Sequence, residues 1–335
     1  MMLKYSIIIP HKNIPTLLRR CLDSIPNRPD IEIIVVDDNS NKESIKELKK
    51  TNRKELQIIY TTENKGAGFA RNVGVANAHG EWILFADADD YFLPNIFEKL
   101  DTYKEQNKPI ILFHSICRKS DIPNEPGMRQ WICDIISKNL IDFQNGKIDA
   151  PKVLIGTGVP WAKMVRLSFL RKNNILFEEV AYSNDIGWIT QLATKAKNND
   201  ITVSSETIYC LTDRVQSLYF TRNKEAFYCR FSVRCRQHQL LIKNGITSPF
   251  NLRPYLKEAQ KFGFFFSLAF FKYILKTDYQ IPIVYRFEQT LHLKKPYFFL
   301  LTQLIKSILN LVHNSKKSTQ SHNTANESKI ELYTS

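Results

Sequence analysis

Residues 81–94 read Glu81-Trp82-Ile83-Leu84-Phe85-Ala86-Asp87-Ala88-Asp89-Asp90-Tyr91-Phe92-Leu93-Pro94. The apolar run 82–86, with Gly80 before it and acids after it, predicts a strand buried on both faces, as in a parallel sheet. Open α/β sheets place their ligands beyond the carboxyl ends of such strands, so Asp87, Asp89 and Asp90 arrive where a ligand would sit. Carboxylates crowded there repel one another unless a cation lies between them. Hard oxygen donors suit Mg²⁺ or Mn²⁺, which take their remaining ligands from water and phosphate. Taken alone, the acidic run also reads as a solvated turn, because Asp is a common turn former. The flanking sequence decides between the two.

Upstream, Tyr5-Ser6-Ile7-Ile8-Ile9 predicts a short buried strand stopped by Pro10. Leu17, Leu18, Cys21, Leu22 and Ile25 then recur at helical spacing, with Pro15 suited to a first helical position. Residues 31–36 predict a second strand ending in Asp37-Asp38-Asn39-Ser40, a polar helix follows over 42–50, and residues 56–60 predict a third strand. A loop with Gly66 and Gly68 leads into a small-residue helix that stops at Gly80. Strands alternating with helices over the first hundred residues predict a doubly wound, mostly parallel α/β sheet.

Downstream the pattern loosens. Residues 110–115 predict a strand, 121–127 a loop, and Val159-Pro160-Trp161-Ala162-Lys163 precedes a helical stretch to Arg171. Asn184-Asp185 opens a helix over 186–195, residues 208–211 read as an edge strand, and 227–241 read as a helix rich in Arg and aromatics. Residues 262–275 are apolar but interrupted by Lys272, which suits a buried or interfacial helix rather than a membrane span. Over 297–312 Leu301, Leu304, Ile305, Ile308, Leu309 and Val312 share one helical face, so an amphipathic interfacial helix competes there with an ordinary surface helix. The Ser-, Thr-, Asn- and Lys-rich tail 313–335 predicts disorder.

With 335 residues, 43% of them hydrophobic, the chain can bury a large core. The six cysteines form no Cys-x-x-Cys pair, which argues against a zinc site or disulfide framework and for a reducing compartment. No leader or membrane span is evident, so a cytoplasmic location is expected. Charge is uneven: residues 1–100 carry 14 basic and 14 acidic side chains, whereas 214–312 carry 16 basic against only Glu225, Glu258, Asp278 and Glu288, a net of +12. Such a region seeks phosphate, of nucleic acid or of anionic lipid.

The segments Ile9-Pro10-His11-Lys12-Asn13, Cys21-Leu22-Asp23-Ser24-Ile25, Glu32-Ile33-Ile34-Val35-Val36-Asp37-Asp38-Asn39-Ser40, Asn64-Lys65-Gly66-Ala67-Gly68-Phe69-Ala70-Arg71-Asn72 and Phe85-Ala86-Asp87-Ala88-Asp89-Asp90 resemble, in order and spelling, the family-2 inverting glycosyltransferases of GT-A fold. Trp161-Ala162-Lys163, Phe169-Leu170, Ile175-Leu176-Phe177-Glu178-Glu179 and Asn184-Asp185 are similar to later segments of members that build bacterial surface polysaccharides, in lipopolysaccharide or capsule. Beyond Ser217 no family pattern is recognisable. The resemblance implies a catalytic domain over 1–215, with a nucleotide-sugar half (1–110) and an acceptor half (111–215), followed by a basic helical region over 216–312.

It also implies roles. Asp38 would hydrogen-bond the nucleotide base, with Pro10 and Asn13 lining the same pocket. Asp87, Ala88 and Asp89 would form the Asp-x-Asp element on the donor, both acids counting as metal ligands, Asp89 the direct one and Asp87 nearer the ribose. Asp185 would be the catalytic base. Arg71 would face the donor pocket or pair with a strand-end acid. The family's usual acid before the base is here Asn184, which removes any tuning of Asp185 by a neighbouring carboxylate.

The chemistry so implied is transfer from a nucleoside-diphosphate sugar, a uridine one, to a hydroxyl of a growing surface glycan or lipid-linked saccharide. A carboxylate takes the acceptor proton and Mn²⁺ or Mg²⁺ offsets the charge of the departing diphosphate. A membrane-bound acceptor, with the enzyme peripheral on an anionic membrane surface, accounts for the basic region, and no nucleic-acid partner is expected. The rivals fit less well. A dinucleotide fingerprint lacks its last glycine, because Arg71 stands there. A haloacid-dehalogenase-like phosphatase would carry its Asp-x-Asp after the first strand, and a sugar-nucleotide pyrophosphorylase would want glycines where Pro10–Asn13 stands. A non-catalytic nucleotide-sugar-binding homologue would have no need to keep Asp38, Asp89 and Asp185 together.

Overall fold

Short unbroken apolar runs make the parallel strands, as expected. The chain runs β1 (Tyr5–His11), α1 (Pro15–Asp23), β2 (Ile31–Asp38), α2 (Lys42–Leu48), β3 (Leu56–Thr61), α3 (Ala67–Ala76) and β4 (Trp82–Phe85). Pro15 does open its helix, where its missing N–H would have had no partner. These observations come from a computed structural model that describes residues 3–276 apart from positions 104, 123, 215 and 216. The described residues lie in the compact unit Met1–Tyr279. The helix expected over 297–312 and the tail 313–335 lie outside the described residues.

The second half adds β5 (Tyr91–Phe92), α4 (Ile96–Asp101), β6 (Ile110–Lys119), α5 (Gln130–Gln144), α6 (Ala150–Gly156), β7 (Lys163–Arg166), α7 (Leu167–Lys172), α8 (Asn184–Lys195) and β8 (Ile201–Asp213). One sheet results, ordered β3-β2-β1-β4-β7-β6-β8-β5. β1 pairs in parallel with β2 and β4, placing Ile9 beside Val35 and Ile8 beside Phe85. β7 is antiparallel to both β4 and β6, β8 runs parallel to β6, and β5 pairs antiparallel with β8. The fold is therefore α/β with a mostly parallel sheet, and its centre is Ile7, Ile8, Ile33, Ile34 and Val35, none with any exposure.

Two expectations need correction. Residues 208–211 are not an edge strand: they belong to β8, with Tyr209 paired to Ser115 of β6 on one side and Phe92 of β5 on the other. Their apolar run is short because only this part of β8 is covered on both faces, while 202–207 are mostly half-exposed. Residues 163–166 are a strand rather than the start of a helix, since their conformation is set by pairing with β4 and β6, contacts that lie far off in sequence.

After β8 come α9 (Lys224–Lys243), α10 (Arg253–Lys261) and α11 (Phe264–Lys276). α9 docks on α8 through the buried Gln237, whose Nε2 donates to Thr190 Oγ1 at 3.1 Å. Phe227 and Phe231 of α9 meet Phe270 of α11 edge-on, with centroids 4.7 and 4.8 Å apart. Among the described residues no helix is long and apolar enough to cross a membrane.

Candidate functional site

The carboxyl ends of β1 and β2 build the first wall. Asp37 and Asp38 differ by one position and so point to opposite faces of the sheet. Asp37 turns inward, where Oδ2 meets His11 Nδ1 at 2.7 Å and Ser40 Oγ at 2.6 Å. Burial pushes this carboxyl up, but the hydrogen bonds from His11 and Ser40 outweigh it and hold it below the usual carboxylate range. Ile14 N–H donates to His11 Nε2, so the ring proton sits on Nδ1, aimed at Asp37. Ser40 Oγ then accepts from Asn13 N–H, and Asn13 Oδ1 accepts from Asn41 N–H. Asn13 is thereby held at φ 56°, a left-handed conformation that Asn tolerates better than most residues.

Asp38 turns the other way. Its two oxygens accept from the backbone N–H groups of Lys65 and Gly66 at 3.0 and 2.9 Å, which draws the start of α3 over the cleft. Gly66 has φ +87°, and a Cβ on Gly68 would lie 2.1 Å from the Glu178 carbonyl oxygen. Both glycines are required by backbone, one by its angle and the other by close approach.

The second wall is the acidic stretch after β4. Arg71, buried in α3, donates one nitrogen to Asp87 Oδ1 and another to Asn184 Oδ1, the latter at 2.8 Å. Its guanidinium lies over the Phe177 ring. The two readings of Arg71 therefore coexist, since it pairs with a strand-end acid and also lines the cleft. Asp89 Oδ2 accepts from Arg214 Nε at 2.6 Å, just past the end of β8. Asp90 points into the core, where Tyr209 Oη and Thr212 N–H donate to it at 2.9 and 2.7 Å. Burial and the nearby Asp89 and Asp87 raise its pKa well above the usual range. Of the acids after β4, Asp87 and Asp89 face the cleft and Asp90 is a structural anchor.

Asp185 enters from the first turn of α8. Ser183 before it has φ 60°, a strained value for Ser that turns the helix start toward the cleft. Desolvation raises the Asp185 pKa, against the opposing pull of Arg71 and Arg234 and with a further push from Asp87. Trp161, stacked on Tyr209, lines the same cleft. Close enough to feel its charge is the buried Lys163, whose Nζ donates to the Val159 carbonyl at 2.7 Å. Burial pushes this lysine down to about 7, opposed by the charge of Asp185.

One cleft of about 620 Å³ gathers Pro10, Asn13, Asp38, Arg71, Asp87, Ala88, Asp89 and Asp185. Every site residue expected from sequence thus lines a single hollow. Sequence reasoning did not single out Arg129, Arg214, Arg222 and Arg230, which line it as well. For Arg214, Arg222 and Arg230 the only signal is the basic run after β8, and Arg129, just before α5, has none. Tyr209 was also missed, because nothing local shows that its strand passes beneath the acids.

Among the described residues no group of three or more His, Cys, Asp or Glu side chains could hold a metal alone. An ion at this cleft would take one or two carboxylates together with phosphate and water, the usual habit of Mg²⁺. Asp89 suits such an ion: its pair with Arg214 uses one of about four lone-pair positions on the carboxylate.

The glycosyl transferase family 2 model matches residues 6–173, half of the 335-residue chain. YibD of Escherichia coli K12, named as an uncharacterized glycosyltransferase, is 26% identical over 249 residues, covering 69% of this chain and 68% of that protein. TarS of Staphylococcus aureus, a poly(ribitol-phosphate) beta-N-acetylglucosaminyltransferase, is 26% identical over 219 residues, and GlyA of Streptococcus pneumoniae, a glycosyltransferase, 34% over 108. Those alignments cover 64% and 30% of this chain but only 36% of TarS and 16% of GlyA. The crystal structure of TarS 1–349 with UDP-GlcNAc superposes with a TM-score of 0.54 at 21% identity, over 78% of this chain and 74% of that one, which shows the shared fold. With the family model spanning strands β1, β2 and β4 and the acids at their ends, the chain belongs to glycosyl transferase family 2.

Proposed function

We propose that the cleft transfers a sugar, with inversion, from a uridine-diphosphate sugar to a hydroxyl of a bacterial surface glycan or its lipid-linked precursor at an anionic membrane surface. The observation that carries this reading is that Asp185 shares a cleft with the Asp38 pocket and with Asp87 and Asp89. TarS, named for adding N-acetylglucosamine to poly(ribitol-phosphate), has the same fold and has been solved with UDP-GlcNAc and with UDP.

In this reading Asp38, Pro10 and Asn13 hold the base, and Asp87 with Arg71 holds the ribose side of the donor. Asp185 accepts the proton of the acceptor hydroxyl as its oxygen attacks the anomeric carbon from the face opposite the leaving group. The bond from that carbon to the diphosphate breaks, and UDP departs carrying the electron pair. A divalent ion, Mn²⁺ or Mg²⁺, held by Asp89 would supply positive charge to the diphosphate. No covalent sugar–enzyme intermediate is needed. The test is a screen of nucleotide sugars for metal-dependent UDP release with a polyol-phosphate or glycan acceptor. Release from one uridine donor supports the reading, and equal indifference to every donor in the presence of Mn²⁺ overturns it.

A further inference from the structure

α11 is apolar on two sides, and among the described residues only one of them is covered. Phe266, Phe270 and Ile274 are buried, whereas Phe264, Phe265 and Leu268 are 76, 84 and 57% exposed. Single exposed apolar residues are ordinary, but two adjacent phenylalanines and the leucine one turn on form a contiguous wedge. Arg253, Lys257, Lys261 and Lys272 on α10 and α11 are exposed as well, and Glu258 is the one acid from 253 to 276.

The wedge is tied to the cleft. Phe266, next to Phe265, packs on Phe227 with centroids 5.3 Å apart, and Lys224 Nζ lies 5.5 Å from the Phe266 ring centre. The same end of α9 brings Arg222 and Arg230 to the cleft lining. We propose that Phe264, Phe265 and Leu268 insert into the interface of an anionic bilayer, with Lys257, Lys261 and Lys272 on its headgroups, so that the cleft opens where a lipid-linked hydroxyl would be presented. Aromatic rings settle at the headgroup level and lysines gain from anionic lipid, which matches this pairing of chemistries. A single-stranded nucleic acid would instead want rings spaced along a basic groove. The proposal rests on the membrane-borne acceptor proposed above.

The test is sedimentation of the full chain with vesicles of phosphatidylcholine, alone or mixed with phosphatidylglycerol. The wild type should bind the mixed vesicles and be released by salt. The Phe264→Ser/Phe265→Ser variant should bind about tenfold or more weakly, with unchanged melting temperature and unchanged UDP release from soluble substrates. Lys257→Gln/Lys261→Gln/Lys272→Gln should lose the preference for anionic lipid. If the phenylalanine variant binds as the wild type does, the wedge is not the anchor, though a membrane-borne acceptor stands. If the wild type binds neither vesicle, both fall. Binding to RNA alone, or a dimer that the phenylalanine changes dissociate without any vesicle binding, also overturns the proposal. Loss of UDP release in the wild type would count against the glycosyl-transfer reading and not against the anchor.

Discussion

Trp161 and Tyr209 stack face to face, their ring centroids 5.1 Å apart and their planes 11° from parallel. The Tyr209 hydroxyl accepts from Asp87 N–H at 2.8 Å and donates to Asp90 Oδ2 at 2.9 Å. One buried side chain therefore joins the acidic turn to the aromatic wall of the cleft. Burial, with Asp90 and Asp87 beside it, raises the phenol well above its usual pKa, so it keeps the proton it donates.

Tyr209→Phe removes that link and retains the ring stack. Asp90 and the Asp87 N–H each lose a partner in a dry setting, and an unsatisfied buried group costs about 1–3 kcal/mol. Denaturant unfolding should show a loss of that size; stability equal to wild type would mean that the hydroxyl is dispensable.

The acid limb of the pH–rate profile should report Asp185. As the proposed base it must be ionised, and desolvation raises its pKa from the ordinary 3.8. Activity should therefore fall, as pH drops, at a pH above 3.8. Asp185→Asn should lower turnover by roughly 10²–10⁴-fold while leaving UDP binding measurable by calorimetry. An Asn variant with wild-type turnover would move the base elsewhere.

Lys163 gives a stability signature with the opposite sense. Its folded pKa is depressed from 10.5 to about 7, so between those values the unfolded chain binds more protons than the native one. Stability should thus rise with pH across that window, with the full penalty present below it. Lys163→Met should remove this slope in urea titrations run at several pH values. An unchanged slope would assign it to other groups.

Gly68→Ala sets a methyl against backbone, 2.1 Å from the Glu178 oxygen and 2.9 Å from Asn184 Cβ. Neither neighbour is the end of a flexible chain, so the start of α3 must shift. A loss of about 1–3 kcal/mol is expected from overpacking, together with a raised KM for the donor, because Asp38 holds the same loop. Unaltered KM would show that the loop tolerates the shift.

Chelation should stop turnover, and Mn²⁺ should restore it. Asp89→Ala should abolish the metal-dependent rate even at high Mn²⁺, whereas Arg214→Ala should leave a metal response. Full activity in the presence of a chelator would remove the ion from the reaction.

β2 and β4 of the nucleotide half are legible in sequence because a strand covered on both faces reads as an apolar run, and their ends show as an abrupt change to Asp. Asp37-Asp38 and Asp87-Ala88-Asp89 are visible for that reason, and Asp185 through its place at a helix start. The two acids after β2 look equivalent in sequence yet face opposite sides of the sheet, one on His11 and one on the cleft.

What the sequence determined by itself is local: apolar periodicity, breaks at Pro and Gly, and carboxylates at strand ends, since each follows from the near neighbours of a residue in the chain. Only the tertiary structure decided that β7 inserts between β4 and β6, that Tyr209 lies under Asp87, and that Arg214 closes on Asp89. Those relations join residues separated by 51 to 125 positions, where no short-range pattern carries information and tertiary contact selects the partner.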